Sequence, residues 1–575
     1  MTLAEPVARP TADDGPRRAR VRLPGWPFAA ALYAVASVAL HHRVLADLDH
    51  RATGWVSADS SLFTWWLRWT PFAVGHGQDP LLTTWIGAPA GVNALWNTSV
   101  PVLGALLAPI TLTAGPTAAF NVGMMLGPVA SALACYLALG AWVRSRPART
   151  LGGALYGFGP FVVAHGAVGH LNLVWAVLPP VLLWAVRAIL VEQRHPWRDG
   201  ALLGLAIALQ MGLYTQTVAL GAVVVLVVAV VLAVRWPGQV LPRLPALGRS
   251  LLATLAMVGA ICAYPLWLLL AGPSRPQGQI RAPETASTDL AALVAPPPSL
   301  ALPLGWEDLG ARLAAVLPSE ASAYLGIPLL VVCVATVLLV RSPPVRVVAV
   351  GGLVALVVSL GPRLRLAGTD TGVPLPGTWL HAVPLVGQAE PVRYGVFVAL
   401  AVAVLVAVAV DRALRAPPRV RIPLVMGLLA AAATWIPADA LEATDASSPA
   451  FFAAGAPGLS TADVVATVPR ATVAWVGGAR PMLWQADAGM AYRQVGGYFI
   501  GSAPGRPVLL EAEASAFDTL GGDPAAARRD LDRLGVTVVL VVPQPDVDVP
   551  AAVRWTRQVT GVPGEVRDGV WVFRR

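Results

Sequence analysis

Long apolar runs, separated by short polar loops, occupy the first three-quarters of the chain. About eleven of them approach the roughly 20 apolar residues that a helix needs to cross a bilayer, and they fall at 27–47, 117–142, 150–166, 171–191, 200–215, 217–234, 250–271, 324–340, 346–361, 394–411 and 421–437. A further run at 100–114 is short and carries Pro101, Gly104 and Pro109, so we predict a helix along the membrane interface. The pattern predicts a mainly α-helical polytopic bundle.

The pattern changes at about residue 438, after which no apolar run has membrane length. Asp523 and Pro524 are typical of a helix start, and Gly535 marks the end of that helix. The apolar run 537–542 and the closing segment Trp571–Phe573 have the composition of β-strands. We therefore predict a small α/β domain at the C-terminus.

Composition supports the membrane assignment. Of the 575 residues, 56% are hydrophobic and only 13% are charged, whereas soluble domains average about 45–50% apolar and about 25% charged residues. So few charges cannot cover a water-soluble globule of this size, and the high apolar content also excludes intrinsic disorder. The three cysteines lie in or beside apolar runs, without the spacing of a metal site or a disulfide framework.

The distribution of arginine predicts the orientation in the membrane. With the N-terminus in the cytoplasm, every inside loop is short and basic, while the long connections hold most carboxylates. We therefore divide the chain into a cytoplasmic tail (1–26), a transmembrane domain (27–437) with outside loops 48–99 and 272–323, and an extracytoplasmic domain (438–575), all at the cytoplasmic (inner) membrane. The net charge of +9 follows from these loops and does not predict nucleic-acid binding.

The first outside loop carries the most informative polar residue. Asp59 precedes Trp65, Trp66 and Trp69, whose spacing fits one helix face. Because tryptophan favours the headgroup region, we expect this loop to lie on the outer membrane surface. Partial burial there would raise the pKa of Asp59 and suit it as a general base, although a helix N-cap is the simpler interpretation. Asp79, which precedes a proline, is interpreted as a turn residue.

Further polar residues lie at the outer ends of the predicted spans. His165 and His170 have the wrong spacing for a metal pair but could contact a phosphate or sugar, and simple interface placement is an equal alternative. Tyr214 and Gln216 are similar candidates. Arg393 is suited to bind phosphate and could also pair with Glu390.

Several short motifs give the chain a resemblance to a known superfamily. They are the acidic first loop, Leu112–Gly115, Arg144–Arg146, Tyr156–Pro160, Gly169–Asn172, Tyr324–Pro328 and Glu390–Tyr394. With them, residues 27–437 resemble the GT-C membrane glycosyltransferases, in particular the actinobacterial and YfhO-like branches.

This resemblance implies a function for several residues. Asp59 would deprotonate the acceptor, while Arg393, Arg281 and His170 would bind the donor phosphate. The expected reaction moves a sugar from a polyprenyl-phosphate donor to a glycan, lipid or protein acceptor of the cell envelope, with inversion. Further candidates for the substrate cavity are His165, Asn172, Asp79, Tyr214, Gln216, Glu320, Tyr324 and Glu390, of which Tyr324 also fits an aromatic-belt residue.

Many relatives carry two adjacent acidic residues in the first loop, whereas Ala58 and Ser60 flank Asp59 here. No metal ligands are therefore assigned, and a divalent cation is left open as a cofactor. Two other functions remain: a lipid or glycolipid transporter, and a non-catalytic membrane scaffold with a recruiting tail. The near absence of charged residues within the spans weakens the transporter alternative. An enzyme requires Asp59, His170 and Arg393 to line one cavity.

Overall fold

The computed structural model describes residues 25–54, 58–282, 284–302, 305–316, 323–383, 385–472 and 479–575. Its first part is helical, with α1 (Trp26–His41), α2 (Ala58–Gly75), α3 (Pro101–Leu106), α4 (Ala108–Ala114), α5 (Pro116–Leu139), α6 (Arg146–Phe158), α7 (Pro160–Ala167), α8 (Leu171–Val174), α9 (Leu178–Ala185), α10 (Pro196–Arg235), α11 (Pro237–Val240), α12 (Leu244–Ala271), α13 (Glu307–Val316), α14 (Ile327–Leu339), α15 (Pro343–Ser359), α16 (Gly377–Leu380), α17 (Gly395–Ala413) and α18 (Pro418–Ala433). Four more helices follow: α19 (Ala450–Ala453), α20 (Arg480–Asp487), α21 (Pro524–Arg533) and α22 (Val549–Thr560).

The predicted apolar runs all fall on helical segments. Within the described residues, five helical stretches are long and apolar enough to cross a membrane: Pro116–Leu139, Leu171–Glu192, Pro196–Arg235, Pro237–Ala271 and Pro391–Ala413. The chain is therefore a multi-pass membrane protein, and the total of about eleven crossings remains a prediction. The run at 100–114 forms two helices of 6 and 7 residues, α3 and α4, which are too short to cross.

Helix α10 is two helices joined by a break. Forty residues of straight helix would extend about 60 Å, twice the thickness of a bilayer core. The backbone leaves helical geometry at Tyr214 (φ −167°, ψ 106°). The second half of α10 brings the chain back to the side from which the first half started. The Gln193 side chain, just before α10, donates to the carbonyl of Arg243, which precedes α12 (3.2 Å). The separate runs predicted at 200–215 and 217–234 match these two halves.

Helix α17 is the central helix of the bundle. It is almost wholly buried and packs against α6, α14, α15 and α18. Its apolar sequence on all sides is typical of a helix enclosed by others. Arg393 precedes its first turn and Asp411 lies in its last, so the two residues are about 25 Å apart along the axis.

The C-terminal part has the predicted α/β architecture. The strands of the whole chain are β1 (Arg51–Thr53), β2 (Leu82–Thr83), β3 (Val92–Asn93), β4 (Arg363–Leu366), β5 (Thr369–Pro374), β6 (Ala443–Asp445), β7 (Val464–Val468), β8 (Arg493–Gln494), β9 (Tyr498–Ala503), β10 (Arg506–Glu511), β11 (Val538–Val541), β12 (Glu565–Arg567) and β13 (Val570–Arg574). The main sheet has the order β12-β13-β11-β7-β8, with β7 parallel to β11 and β13 antiparallel to it. The Asp523 side chain caps α21 through the amides of Ala525 and Ala526, as predicted.

The C-terminal part and the first loop share a core, which corrects one prediction. Trp65, Trp66 and Trp69 are fully buried and pack with Met482 and Phe499 instead of lying on the membrane surface. A helical stripe of aromatic residues requires an apolar partner, and a protein surface meets this requirement as well as lipid does. Strand β1 also pairs with β6, so the two regions are joined by backbone hydrogen bonds.

Candidate active site

A cavity with a volume of about 290 Å³ lies where the first loop, the helix bundle and the C-terminal part meet. Among its lining residues are many of those selected from the sequence: Asp59, His170, Asn172, Tyr214, Gln216, Arg281, Glu390 and Arg393. Asp59, His170 and Arg393 thus lie around one cavity, as the enzyme hypothesis requires.

Asp59 lies in the first turn of α2 and is held by two hydrogen-bond donors. Nε2 of His170 is 3.2 Å from Oδ2, and the Tyr498 hydroxyl donates to Oδ1 over 3.1 Å. Each carboxylate oxygen can accept more than one hydrogen bond, so Asp59 keeps acceptor capacity toward the cavity. Its side chain is 37% exposed.

Tyr498 was not selected from the sequence. It belongs to β9 in the C-terminal part, is buried and lines the cavity. The adjacent Asp59 carboxylate, together with burial, raises the pKa of Tyr498, so the hydroxyl keeps its proton and acts as a donor. Its 439-residue separation from Asp59 left no local signal in the sequence.

His165 does not line the cavity but supports His170 from behind. The two Nδ1 atoms are 3.0 Å apart, and the His170 amide donates to the His165 carbonyl over 3.0 Å. If Nε2 of a neutral His170 donates to Asp59, its Nδ1 must accept from Nδ1 of His165. His165, His170 and Asp59 are therefore connected in this order by hydrogen bonds, and His165 reaches the cavity only through His170.

The environment lowers the pKa of Asp59, contrary to the sequence-based expectation. Burial raises this pKa, but the hydrogen bond and charge of His170, the Arg281 guanidinium and the Tyr498 hydroxyl outweigh it. Asp59 is therefore ionised at neutral pH without any tuning toward 7. The prediction considered burial alone. Burial is the largest single influence on this pKa, but the partners together outweigh it.

Two arginines that line the cavity share one carboxylate. Glu390 pairs with Arg281 through one oxygen and with Arg393 through the other. Arg393 also donates to the Tyr214 hydroxyl and, over 2.9 Å, to Gln216 Oε1. The Arg393 side chain is 14% exposed and that of Arg281 is 45% exposed. Arg281 is thus the more accessible cation, although the sequence favoured Arg393.

Two of the remaining candidates, Asp79 and Tyr324, are not among the described residues that line the cavity. Asp79 accepts the Leu81 amide over 2.8 Å and the Tyr264 hydroxyl, so it is the turn residue that Asp-Pro predicted. Tyr324 is 1% exposed inside the helix bundle and is not among the residues that line this cavity, so its ring is enclosed by protein. Glu320 lies outside the described residues.

The cavity offers few ligands for a metal ion. Both oxygens of Glu390 are occupied by arginines, which leaves Asp59 as the accessible carboxylate among the described lining residues. The one group of metal-type ligands found in the described chain is Asp47, Asp49 and His50, whose ligand atoms lie within 4.8 Å of one another. This mostly exposed group does not line the cavity, so these residues do not supply a metal to Asp59.

Comparison with known proteins identifies the fold. No protein-family model and no curated protein matches the chain. The arabinofuranosyltransferase AftD from Mycobacteria aligns with 96% of this chain at 16% identity and a TM-score of 0.51, and the aligned part covers 41% of AftD. The oligosaccharyltransferase AglB from Archaeoglobus fulgidus, in complex with an inhibitory peptide and a dolichol-phosphate, aligns with 93% of this chain and 71% of its own at 11% identity and a TM-score of 0.46. Its apo form aligns with 90% of this chain and 69% of its own at 13% identity, with a TM-score of 0.47.

AftD is a GT-C glycosyltransferase. The chain therefore has the same fold as the aligned part of AftD, as the sequence motifs indicated, and it spans about two-fifths of the length of AftD. It is a multi-pass membrane protein of this fold with an α/β C-terminal part.

Proposed function

We propose that the protein is an inverting membrane glycosyltransferase that moves a sugar from a polyprenyl phosphate to an acceptor of the cell envelope on the outer face. The observation that carries this proposal is that one cavity is lined both by the Asp59 carboxylate and by the guanidinium groups of Arg281 and Arg393. A base and an anion-binding group are the two parts that this transfer needs.

The reaction is a single displacement. The acceptor hydroxyl oxygen forms a bond to the anomeric carbon, and Asp59 takes the hydroxyl proton. The bond between the anomeric carbon and the phosphate oxygen breaks, and its electron pair stays on the polyprenyl phosphate. Attack opposite to the leaving group inverts the anomeric configuration. Because Asp59 is ionised at neutral pH, every molecule has the base in its active form.

The arginines stabilise the charge that develops on the departing phosphate. Arg281 has the more exposed guanidinium, and only its Nη1 group is engaged by Glu390 within the described residues. Its other donors are therefore available to a phosphate oxygen, which arginine binds through parallel hydrogen bonds. Arg393, held by Glu390, Tyr214 and Gln216, contributes a fixed positive charge behind Arg281.

His170 and Tyr498 are positioning residues for the base. Both donate to Asp59, so they fix the direction of its free lone pairs and keep it ionised. Because Tyr498 belongs to the C-terminal part, this part would contact the acceptor bound at Asp59. Since AftD is an arabinofuranosyltransferase of the same fold, a pentofuranosyl donor is the first sugar to test.

The test compares two aspartates of the same loop. Purified protein is incubated with radiolabelled polyprenyl-phosphate sugars and an envelope glycan extract, and the labelled product is quantified. We expect Asp59→Asn to lower transfer by at least about 100-fold, because general-base catalysis contributes about that much or more. Asp79→Asn is the matched control, since Asp79 lies outside the cavity lining and should keep near wild-type transfer.

Equal transfer by wild type and Asp59→Asn would remove Asp59 from the mechanism. Transfer with retained anomeric configuration would contradict a single displacement. Movement of labelled lipid across liposomes, without any new glycosidic bond, would replace the enzyme with a transporter.

A further inference from the structure

A second cavity lies at the other end of the central helix. It has a volume of about 250 Å³ and includes Asp411 and Arg412 of the last turn of α17 among its lining residues. The candidate active site lies by Arg393, before the first turn of the same helix, about 25 Å away along the axis. This distance is close to the thickness of a bilayer core, so the two cavities lie at opposite ends of the membrane-spanning bundle.

The mouth of the second cavity is positively charged. Arg144, Arg412 and Arg415 line it with a single carboxylate, Asp411. Asp411 pairs with Arg415 and accepts the Ser145 amide over 2.8 Å. Within the described residues, neither Arg144 nor Arg412 has a carboxylate partner, and both are exposed. Two guanidinium groups therefore remain for an external anion.

The wall of the cavity is apolar. Valines from α15, from α17 and from the residue after α14 line it: Val340, Val345, Val348, Val404 and Val408. Of these, Val348 and Val408 are only partly buried. Trp142 also lines the cavity and has both an apolar ring and a polar N–H group. This indole N–H is buried without a hydrogen-bond partner in the described part of the chain. An apolar wall beneath a cationic mouth matches a molecule that has an anionic head and a hydrocarbon chain.

We propose that this cavity is a binding site for an anionic phospholipid. Arg144 and Arg412 would bind the phosphate oxygens by charge-assisted hydrogen bonds, and the acyl chain would lie along the valines. Basic pockets between membrane helices are a known chemical basis for recognition of anionic head groups. A small soluble phosphate would leave the valine wall uncovered, so the apolar surface favours a lipid.

The test measures lipid binding by the purified full-length protein in a neutral detergent. Phosphatidylglycerol is titrated, bound lipid is counted by native mass spectrometry, and the melting temperature is recorded in parallel. We expect one tightly bound phosphatidylglycerol, with an affinity at least about tenfold above that for phosphatidylcholine, since each tenfold requires only about 1.4 kcal/mol. The bound lipid should raise the melting temperature.

Three variants distinguish binding in the cavity from attraction of the lipid to positive charge elsewhere on the surface. We expect Arg144→Gln/Arg412→Gln to weaken phosphatidylglycerol binding by at least about tenfold. Arg419→Gln/Arg421→Gln removes the same charge from exposed positions of α18 outside the cavity, and it should bind like wild type. Val408→Phe fills the apolar wall and should weaken binding with every arginine intact. Melting temperatures measured without lipid show whether each variant is folded.

Equal binding by the cavity and control variants would overturn the proposal, as would equal retention of phosphatidylcholine. Glycerol phosphate and inorganic phosphate form the other arm of the test. If they displaced the phospholipid at matched concentration, the site would belong to a soluble phosphate and the lipid assignment would be wrong.

Discussion

Replacing His170 with phenylalanine tests how the site controls the ionisation of Asp59, the proposed base. The substitution keeps a ring of similar shape but removes the donor at 3.2 Å from Asp59. Burial then acts on Asp59 with fewer opposing influences, so the pKa of the carboxyl group should rise. The acid limb of the pH–rate profile should therefore shift to higher pH.

The expected size follows from the hydrogen bond and the exposure of its acceptor. A hydrogen bond to a charged group contributes about 1.5–3 kcal/mol, and about 1.4 kcal/mol corresponds to one pH unit. The Asp59 side chain is 37% exposed, so solvent screening favours the lower end of that range. We therefore expect the acid limb to rise by about one pH unit. Tyr498→Phe should move it in the same direction by less, because the Tyr498 bond has the weaker influence on this pKa.

The assay is the initial rate of sugar transfer at low donor concentration, where kcat/KM reports ionisations of the free enzyme. His76→Phe is the matched control, since His76 is exposed and lies outside the cavity lining. An unchanged acid limb in His170→Phe, together with a folded protein, would show that His170 does not set the ionisation of the base.

Two further substitutions test the contact between the first loop and the C-terminal part. The buried Gln485 side chain accepts from Trp65 Nε1 over 2.6 Å and donates to the Trp85 and Tyr492 carbonyls. Gln485→Leu should therefore lower the free energy of unfolding by about 1–3 kcal/mol, measured as a lower melting temperature. An unchanged melting temperature would mean that water replaces these hydrogen bonds. Burial raises the pKa of Asp487 from 3.8 to about 6, so this group stabilises the fold fully only below its unfolded pKa, and that stability is lost as the pH rises through 6. Asp487→Asn should therefore raise the melting temperature at neutral pH but not at about pH 4, and an equal effect at both pH values would contradict the role of the buried charge.

The helical framework could be predicted from the sequence because its signal is local. Apolar runs such as 117–142 and 394–411 are long enough to identify a helix without any knowledge of its neighbours. The cap at Asp523 is equally local, since the side chain and the amides that it binds are two or three residues apart. The position of Arg393 beside an apolar run on the outer side also led to this residue and to its neighbour Glu390, because charged residues are costly at membrane depth and are kept near cavities. Arg281, in contrast, was found only through the resemblance to the GT-C family.

The errors arose where tertiary partners decide the outcome. Trp65 and Trp69 form an apolar stripe, and the stripe does not say whether lipid or protein covers it. The pKa of Asp59 depends on His170 and Tyr498, which come from distant parts of the chain. Tyr498 has no neighbouring motif that would connect it with residue 59. These contacts exist only after the C-terminal part has packed against the first loop.

That packing makes the C-terminal part a wall of the site and not an appendage. Asn97 donates to the Ile500 carbonyl over 2.9 Å and accepts the Ile500 amide over 2.6 Å, and both residues line the cavity. This two-way amide contact fixes β9 on the first loop two residues away from Tyr498. Because the Tyr498 hydroxyl donates to Asp59, the position of β9 determines how the proposed base is held. A change in the C-terminal part that shifts this strand is therefore expected to act on catalysis directly, even though the part contributes no residue to the transmembrane bundle.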